Sequence, residues 1–173
     1  MRKMSRAMAL CGMTAALSLV LMLLGSVLAV FTYACPMLVG MLLVLIREEL
    51  GVKWSVTLWL AISLLAFMLV PEVEMTAVFL GIFGWYPSVK PALDRLPKLV
   101  GWFGKLALLN GAAVAVYAVL MQVMGLEDMP TGILGWVALF AAANLVFLCY
   151  DMVLTRMRRV MVPVLHHFLQ RIP

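Results

Sequence analysis

Read from its N-terminus, the chain alternates long apolar stretches with short polar clusters, and the spacing of the clusters defines its elements. After Arg2, Lys3 and Arg6, residues 7–46 carry no charge at all. A helix crosses the hydrocarbon core in about 20 residues, so this stretch holds two spans. The turn between them falls at Gly25-Ser26 or around residues 32–36, and Tyr33 and Pro36 favour the second position. Arg47, Glu48, Glu49 and Lys53 form a polar loop. Residues 54–70 read as a third span with Trp54 as an interfacial anchor. An acidic turn follows at Pro71-Glu72-Val73-Glu74, and residues 75–86 make a short fourth segment containing Gly81 and Gly84. Lys90, Asp94, Arg95, Lys98 and Lys105 form a charged connector punctuated by Pro91 and Pro97. Residues 106–124 and 132–150 are the fifth and sixth spans, joined by a polar stretch at 125–131.

The expected fold is therefore all-α: a polytopic transmembrane bundle of about six membrane segments, forming one integral membrane domain over residues 1–173. Residues 155–173 form its basic amphipathic tail. There Val160, Met161, Val164, Leu165, Phe168 and Leu169 recur three to four residues apart among Arg158, Arg159, His166 and Arg171. That pattern suits a C-terminal interfacial helix on anionic lipid, with Pro163 at its start or kinking it.

Composition agrees with this reading. Two-thirds of the 173 residues are hydrophobic and 12% are charged, about half the charged share of a soluble domain. So small a domain has too little interior to hide that excess, and lipid is its natural solvent. The apolar run after Arg6 is far longer than the roughly 7–15 residues of a signal peptide's core, so we expect it to be retained.

Charge then orients the bundle. With the N-terminus in the cytoplasm, the inner segments hold Arg2, Lys3, Arg6, Arg47, Lys53, Lys90, Arg95, Lys98, Lys105, Arg156, Arg158, Arg159 and Arg171, which is all 13 basic residues. The acidic residues divide evenly between the two sides, as expected when orientation follows Lys and Arg alone. The expected location is the inner (plasma) membrane, multi-pass, with both termini cytoplasmic. A formal charge of +5 built from such loop clusters does not read as a nucleic-acid surface, and the lipid bilayer is the first partner.

The sequence holds no HExxH, GxSxG, phosphate-loop or dinucleotide signature. It reads as a non-enzyme with no cofactor. Cys11, Cys35 and Cys149 are scattered through apolar stretches and read as small hydrophobes. His166 and His167, adjacent on a helix, diverge by about 100° and make a poor chelate.

Other polar residues are more informative. Asn110 and Asn144 lie 18 and 16 residues from Asp128, so an antiparallel hairpin brings them to similar depth. An unpaired amide in hydrocarbon is costly, so they face inward, either as interhelical glue or lining a ligand cavity with Tyr117 and Gln122. Gly12 and Ala16, with Cys11 and Ala15 beside them, form a surface of small residues that another helix can approach closely, within this chain or from a partner. Gly81, Gly84 and Pro87 weaken helix continuity in the fourth segment, and broken membrane helices often border binding sites. Tyr86 and Lys90 are expected at the interface, anchoring and snorkelling. Asp151, closing the sixth span, is expected to pair with Arg156, Lys90 or Lys105.

In architecture and in the small-residue face of its first helix, the chain resembles the substrate-binding components of energy-coupling-factor vitamin transporters. The string Phe83-Gly84-Trp85-Tyr86-Pro87 with Lys90 also resembles small bacterial membrane proteins of unassigned function. The first resemblance implies that Gly12, Ala15 and Ala16 dock a transmembrane coupling subunit carrying ATPase subunits. It further implies a small-molecule pocket near the outer side, with Tyr33, Glu72, Tyr117 and Gln122 nearest to it. The outer turns are shorter than such a pocket's closing loops. Two functions are thus expected: a substrate-binding subunit for uptake of a small molecule such as a vitamin, or a scaffold or regulatory membrane protein that carries no solute. A cavity with convergent polar groups between the fifth and sixth spans favours the first; a fully packed bundle with a flat small-residue face favours the second.

Overall fold

The computed structural model describes the backbone of residues 2–27, 31–124 and 133–170, and the side chains of residues 4–27, 31–122, 134–138 and 140–160. The polar stretch at 125–131 with Glu127 and Asp128, and the side chains of His166, His167 and Arg171, lie outside the described residues.

The described chain is all-helical: α1 (Arg2–Val27), α2 (Ala34–Leu50), α3 (Val52–Leu69), α4 (Val73–Val78), a π turn (Phe79–Phe83), α5 (Tyr86–Leu93), α6 (Lys98–Met124) and α7 (Ile133–Gln170). Four stretches are long and apolar enough to cross a membrane, namely Met4–Val27, Val52–Leu69, Lys98–Gln122 and Leu134–Val160. Their outward faces are apolar: Met68 is 76% exposed, Leu99 75% and Leu134 84%. Water would not tolerate so much bare hydrocarbon, and the chain is a membrane protein.

Two apolar cores share α2 and the π turn. One joins α1, α2 and α3 through Met22, Val39, Leu43, Ile62, Met75 and Phe79. The other joins the π turn, α5, α6 and α7 through Ile82, Phe83, Tyr86, Val116, Phe147 and Tyr150. The segment from α4 to α5 thus runs between the two halves of the bundle.

That segment owes its shape to its glycines. The Gly84 amide donates to the Phe79 carbonyl at 2.8 Å, the i→i−5 bond of a π turn, and the Trp85 indole donates to the Gly81 carbonyl at 2.6 Å. A Cβ on Gly84 would lie 2.3 Å from Trp59 of α3, and one on Gly81 would lie 2.1 Å from Val116 of α6. Only glycine lets both neighbours close on the segment. The helix breaks at Gly84-Trp85 and restarts with Pro87 in the first turn of α5.

Two boundaries differ from expectation or resolve it. α1 runs through Gly25 and Ser26, and Gly25 packs against Cys35, so α2 begins just after Tyr33. The basic tail is not a separate element, because α7 continues through Pro163 to Gln170. Between α2 and α3, Gly51 takes φ 95° while its amide caps the Arg47 carbonyl at 2.9 Å.

Candidate functional site

The antiparallel packing gathers polar side chains at two ends of the bundle. At one end Tyr33, in the α1–α2 connection, meets Glu74 of α4 and Tyr117 of α6. The Tyr33 hydroxyl donates to Glu74 Oε1 at 2.6 Å and lies 3.2 Å from the Tyr117 hydroxyl. Beside it Thr32 donates to Glu72 Oε1 at 2.9 Å. Glu72 Oε2 is buried with no hydrogen-bond partner. Burial, together with its bonds to Glu74 and Tyr117, pushes the Tyr33 hydroxyl above its ordinary pKa, so it stays a neutral donor.

Below these hydroxyls lies a cavity of about 230 Å³ between the π turn, α6 and α7. Its walls are Val78, Ile82, Phe83, Leu109, Val146 and Phe147, with the small residues Ala113, Ala142 and Ala143 leaving the space. Tyr33 and Tyr117 are its polar lining. Ala142 and Val146 are exposed, so the cavity also opens sideways between the helices. A second hollow of about 190 Å³, on Trp136, Phe140 and Met121, shares Tyr117, Ala113 and Ala143 with the first. Tyr117 is therefore common to both spaces.

Asn110 and Asn144 do not line either hollow. They bond to each other, Asn110 Nδ2 to Asn144 Oδ1 at 3.2 Å and Asn144 Nδ2 to Asn110 Oδ1 at 3.0 Å. Each amide also donates to the carbonyl four residues back, Leu106 at 2.8 Å and Phe140 at 2.7 Å. Both NH₂ groups are fully used, which is the arrangement of interhelical glue. Gln122 is exposed and lines neither hollow. Of the residues singled out from sequence, the structure brings Tyr33, Glu72 and Tyr117 to one end, with Glu74 joining them.

At the other end the Asp151 carboxylate of α7 accepts from the Tyr86 hydroxyl and the Lys90 ammonium of α5, and from Lys105 of α6 at 3.2 Å. Asp94 bridges the same lysines, at 2.6 Å from Lys105 and 3.6 Å from Lys90. Tyr86, Lys90, Lys105 and Asp151 are all buried, so Tyr86 and Lys90 are core members and not the interfacial anchor and snorkelling chain their positions suggested. Two lysines against two aspartates make the cluster neutral, which is what permits its burial. A separate ion pair joins Arg158 of α7 to Glu48 of α2 at 2.9 Å.

On α1, Gly12 and Ala16 are exposed, and a Cβ on Gly12 would meet nothing within 4 Å, while Ala15 packs on the core. Among the described residues no group of three or more His, Cys, Asp and Glu side chains could hold a metal ion. Comparison with protein-family profiles, with curated proteins and with solved structures found no match to this chain.

Proposed function

We propose that this chain is a membrane-embedded, small-molecule-binding subunit for uptake, energised by partner subunits. The observation that carries the reading is the cavity between the π turn, α6 and α7, with the Tyr33 and Tyr117 hydroxyls converging at its mouth. Ligand sites in helical bundles have this form: mostly apolar walls and a few placed polar groups. A scaffold has no need of such a space.

The proposal includes six membrane segments. Besides the four long helices, α2 has 17 residues, about 26 Å of helix, and the bent α4–π–α5 unit crosses beside it. Positive charge then sets the Asp151 end in the cytoplasm and the Tyr33 end outside, with both termini inside an inner (plasma) membrane. The bare face of Gly12 and Ala16 is the docking surface for a transmembrane coupling subunit, since close helix approach needs small residues.

The test is mass spectrometry of small molecules that co-purify with the protein, compared with an Ala143→Phe variant whose added ring fills the cavity. A compound bound to the wild type and lost from the folded variant supports the reading. Phospholipid alone, in equal amounts on both proteins, would overturn it.

A further inference from the structure

The hydrogen atoms at the cavity mouth are already spent. Tyr33 gives its single hydroxyl hydrogen to Glu74. The 3.2 Å contact with Tyr117 must therefore use the Tyr117 hydrogen, with the Tyr33 oxygen accepting. Thr32 gives its hydrogen to Glu72. The side-chain capacity that remains at the mouth is acceptor capacity, namely the Tyr117 lone pairs and the second oxygen of Glu74, and the neighbouring Glu72 Oε2 is buried without a donor of its own. A ligand entering here has to bring donors.

Charge points the same way. Among the described residues no lysine or arginine forms a salt bridge with Glu72 or Glu74, whereas Glu48, Asp94 and Asp151 at the other end are all paired. Glu74 is bonded to the cavity-lining Tyr33, and an uncompensated carboxylate beside a low-dielectric space draws cations towards it. Two tyrosine rings beside that carboxylate offer faces that attract ammonium groups.

Size and opening complete the description. A volume of about 230 Å³ lies below the roughly 300–1,000 Å³ of drug-sized sites, so it suits one ring or a short branched chain. The sideways opening at Ala142 and Val146 faces hydrocarbon and admits an apolar body.

Resting on the binding-subunit reading above, we infer that the cavity takes a small organic cation, a protonated amine on an apolar body. The amine donates to Glu74 and Tyr117, and the body lies on Phe83, Phe147 and Ile82.

Three probes of one shape test the charge. Phenethylammonium, 2-phenylethanol and 3-phenylpropionate are titrated by calorimetry into the purified protein in phosphatidylcholine nanodiscs. The ammonium should bind at least about tenfold more tightly than the alcohol, with the carboxylate weakest. Glu74→Gln should weaken the ammonium by about tenfold and leave the alcohol unchanged, and Tyr117→Phe gives a second, gentler probe of the same mouth. Ala143→Phe should abolish binding of the ammonium. Alcohol binding as tightly as ammonium, or ammonium binding indifferent to Glu74→Gln and Tyr117→Phe, overturns the cation class. In that case, alcohol binding that Ala143→Phe still removes leaves the cavity reading intact. Absence of ammonium binding overturns the inference too, while the co-purified small molecule decides the binding reading separately. Ammonium binding that survives Ala143→Phe is bilayer partitioning and overturns it as well.

Discussion

Asn110 and Asn144 face each other across the α6–α7 interface and exchange two amide hydrogen bonds, at 3.2 and 3.0 Å. Each spare amide hydrogen returns to its own helix. The pair fixes the register of the two helices beside the cavity without entering it. Replacing either residue with Leu should cost about 1 kcal/mol of stability, within the range measured for interhelical hydrogen bonds in membranes. The double replacement should cost less than the sum, because the second substitution removes a group the first left unpaired. Thermal unfolding of the four proteins in one detergent measures this. Ligand affinity should be unchanged throughout.

The Asp151 network should be the most sensitive polar feature of the chain. Asp151→Asn leaves Lys90 and Lys105 buried against only Asp94, and breaking a buried pair by removing one partner costs about 3–5 kcal/mol. Asp94→Asn should cost much less, since the Asp94 side chain is 36% exposed and water screens its loss. Equal losses in the two variants would show that Asp151 is not the centre of the cluster.

Glycine substitutions should separate close packing from open surface. A Cβ on Gly40 would lie 2.1 Å from the Tyr150 hydroxyl and 2.7 Å from the Phe83 carbonyl, where backbone has to move. Gly40→Ala should therefore destabilise by about 1–3 kcal/mol, as overpacked cores do. Gly12→Ala, with open space around it, should not destabilise.

Much of the fold was legible in the sequence because lipid imposes long apolar runs and charge at their ends. The hairpin depth of Asn110 and Asn144 followed from counting residues to the turn between them. The sequence makes Lys90 and Lys105 natural partners for Asp151, but it carries no sign that Tyr86 and Lys90 are buried. Their positions near a span's end look the same whether they snorkel or bend inward, and only the break at Gly84-Trp85 turns α5 into the core. Glu74 was missed as a mouth residue although it shares the acidic turn with Glu72. Its partner Tyr33 lies 41 residues away, and no local pattern links them. The cavity walls, Val78, Ile82, Phe83 and Phe147, look like any other core residues until the alanines opposite them are placed.

The α1 face should act on partners and not on folding. Gly12→Leu with Ala16→Leu adds bulk where the structure shows no neighbour at Gly12, so the double variant should keep the wild-type melting temperature. If the proposed coupling subunit docks on this face, pull-down from native membranes should lose it in the double variant while the wild type retains it. A drop in melting temperature would mean that α1 packs internally there. A variant that keeps both stability and partners would assign the face to lipid.

The proposed orientation turns the cavity mouth at Tyr33, Tyr117 and Glu74 to the exterior and the Asp151 network to the cytoplasm. Single cysteines test it most directly, in a background with Cys11, Cys35 and Cys149 replaced. Pro71 is exposed in the turn beside the mouth, and Lys98 is exposed at the opposite end. Pro71→Cys should react with a membrane-impermeant maleimide on intact cells, and Lys98→Cys only after the membrane is permeabilised. Labelling of Lys98→Cys from outside, with Pro71→Cys protected, would contradict the account.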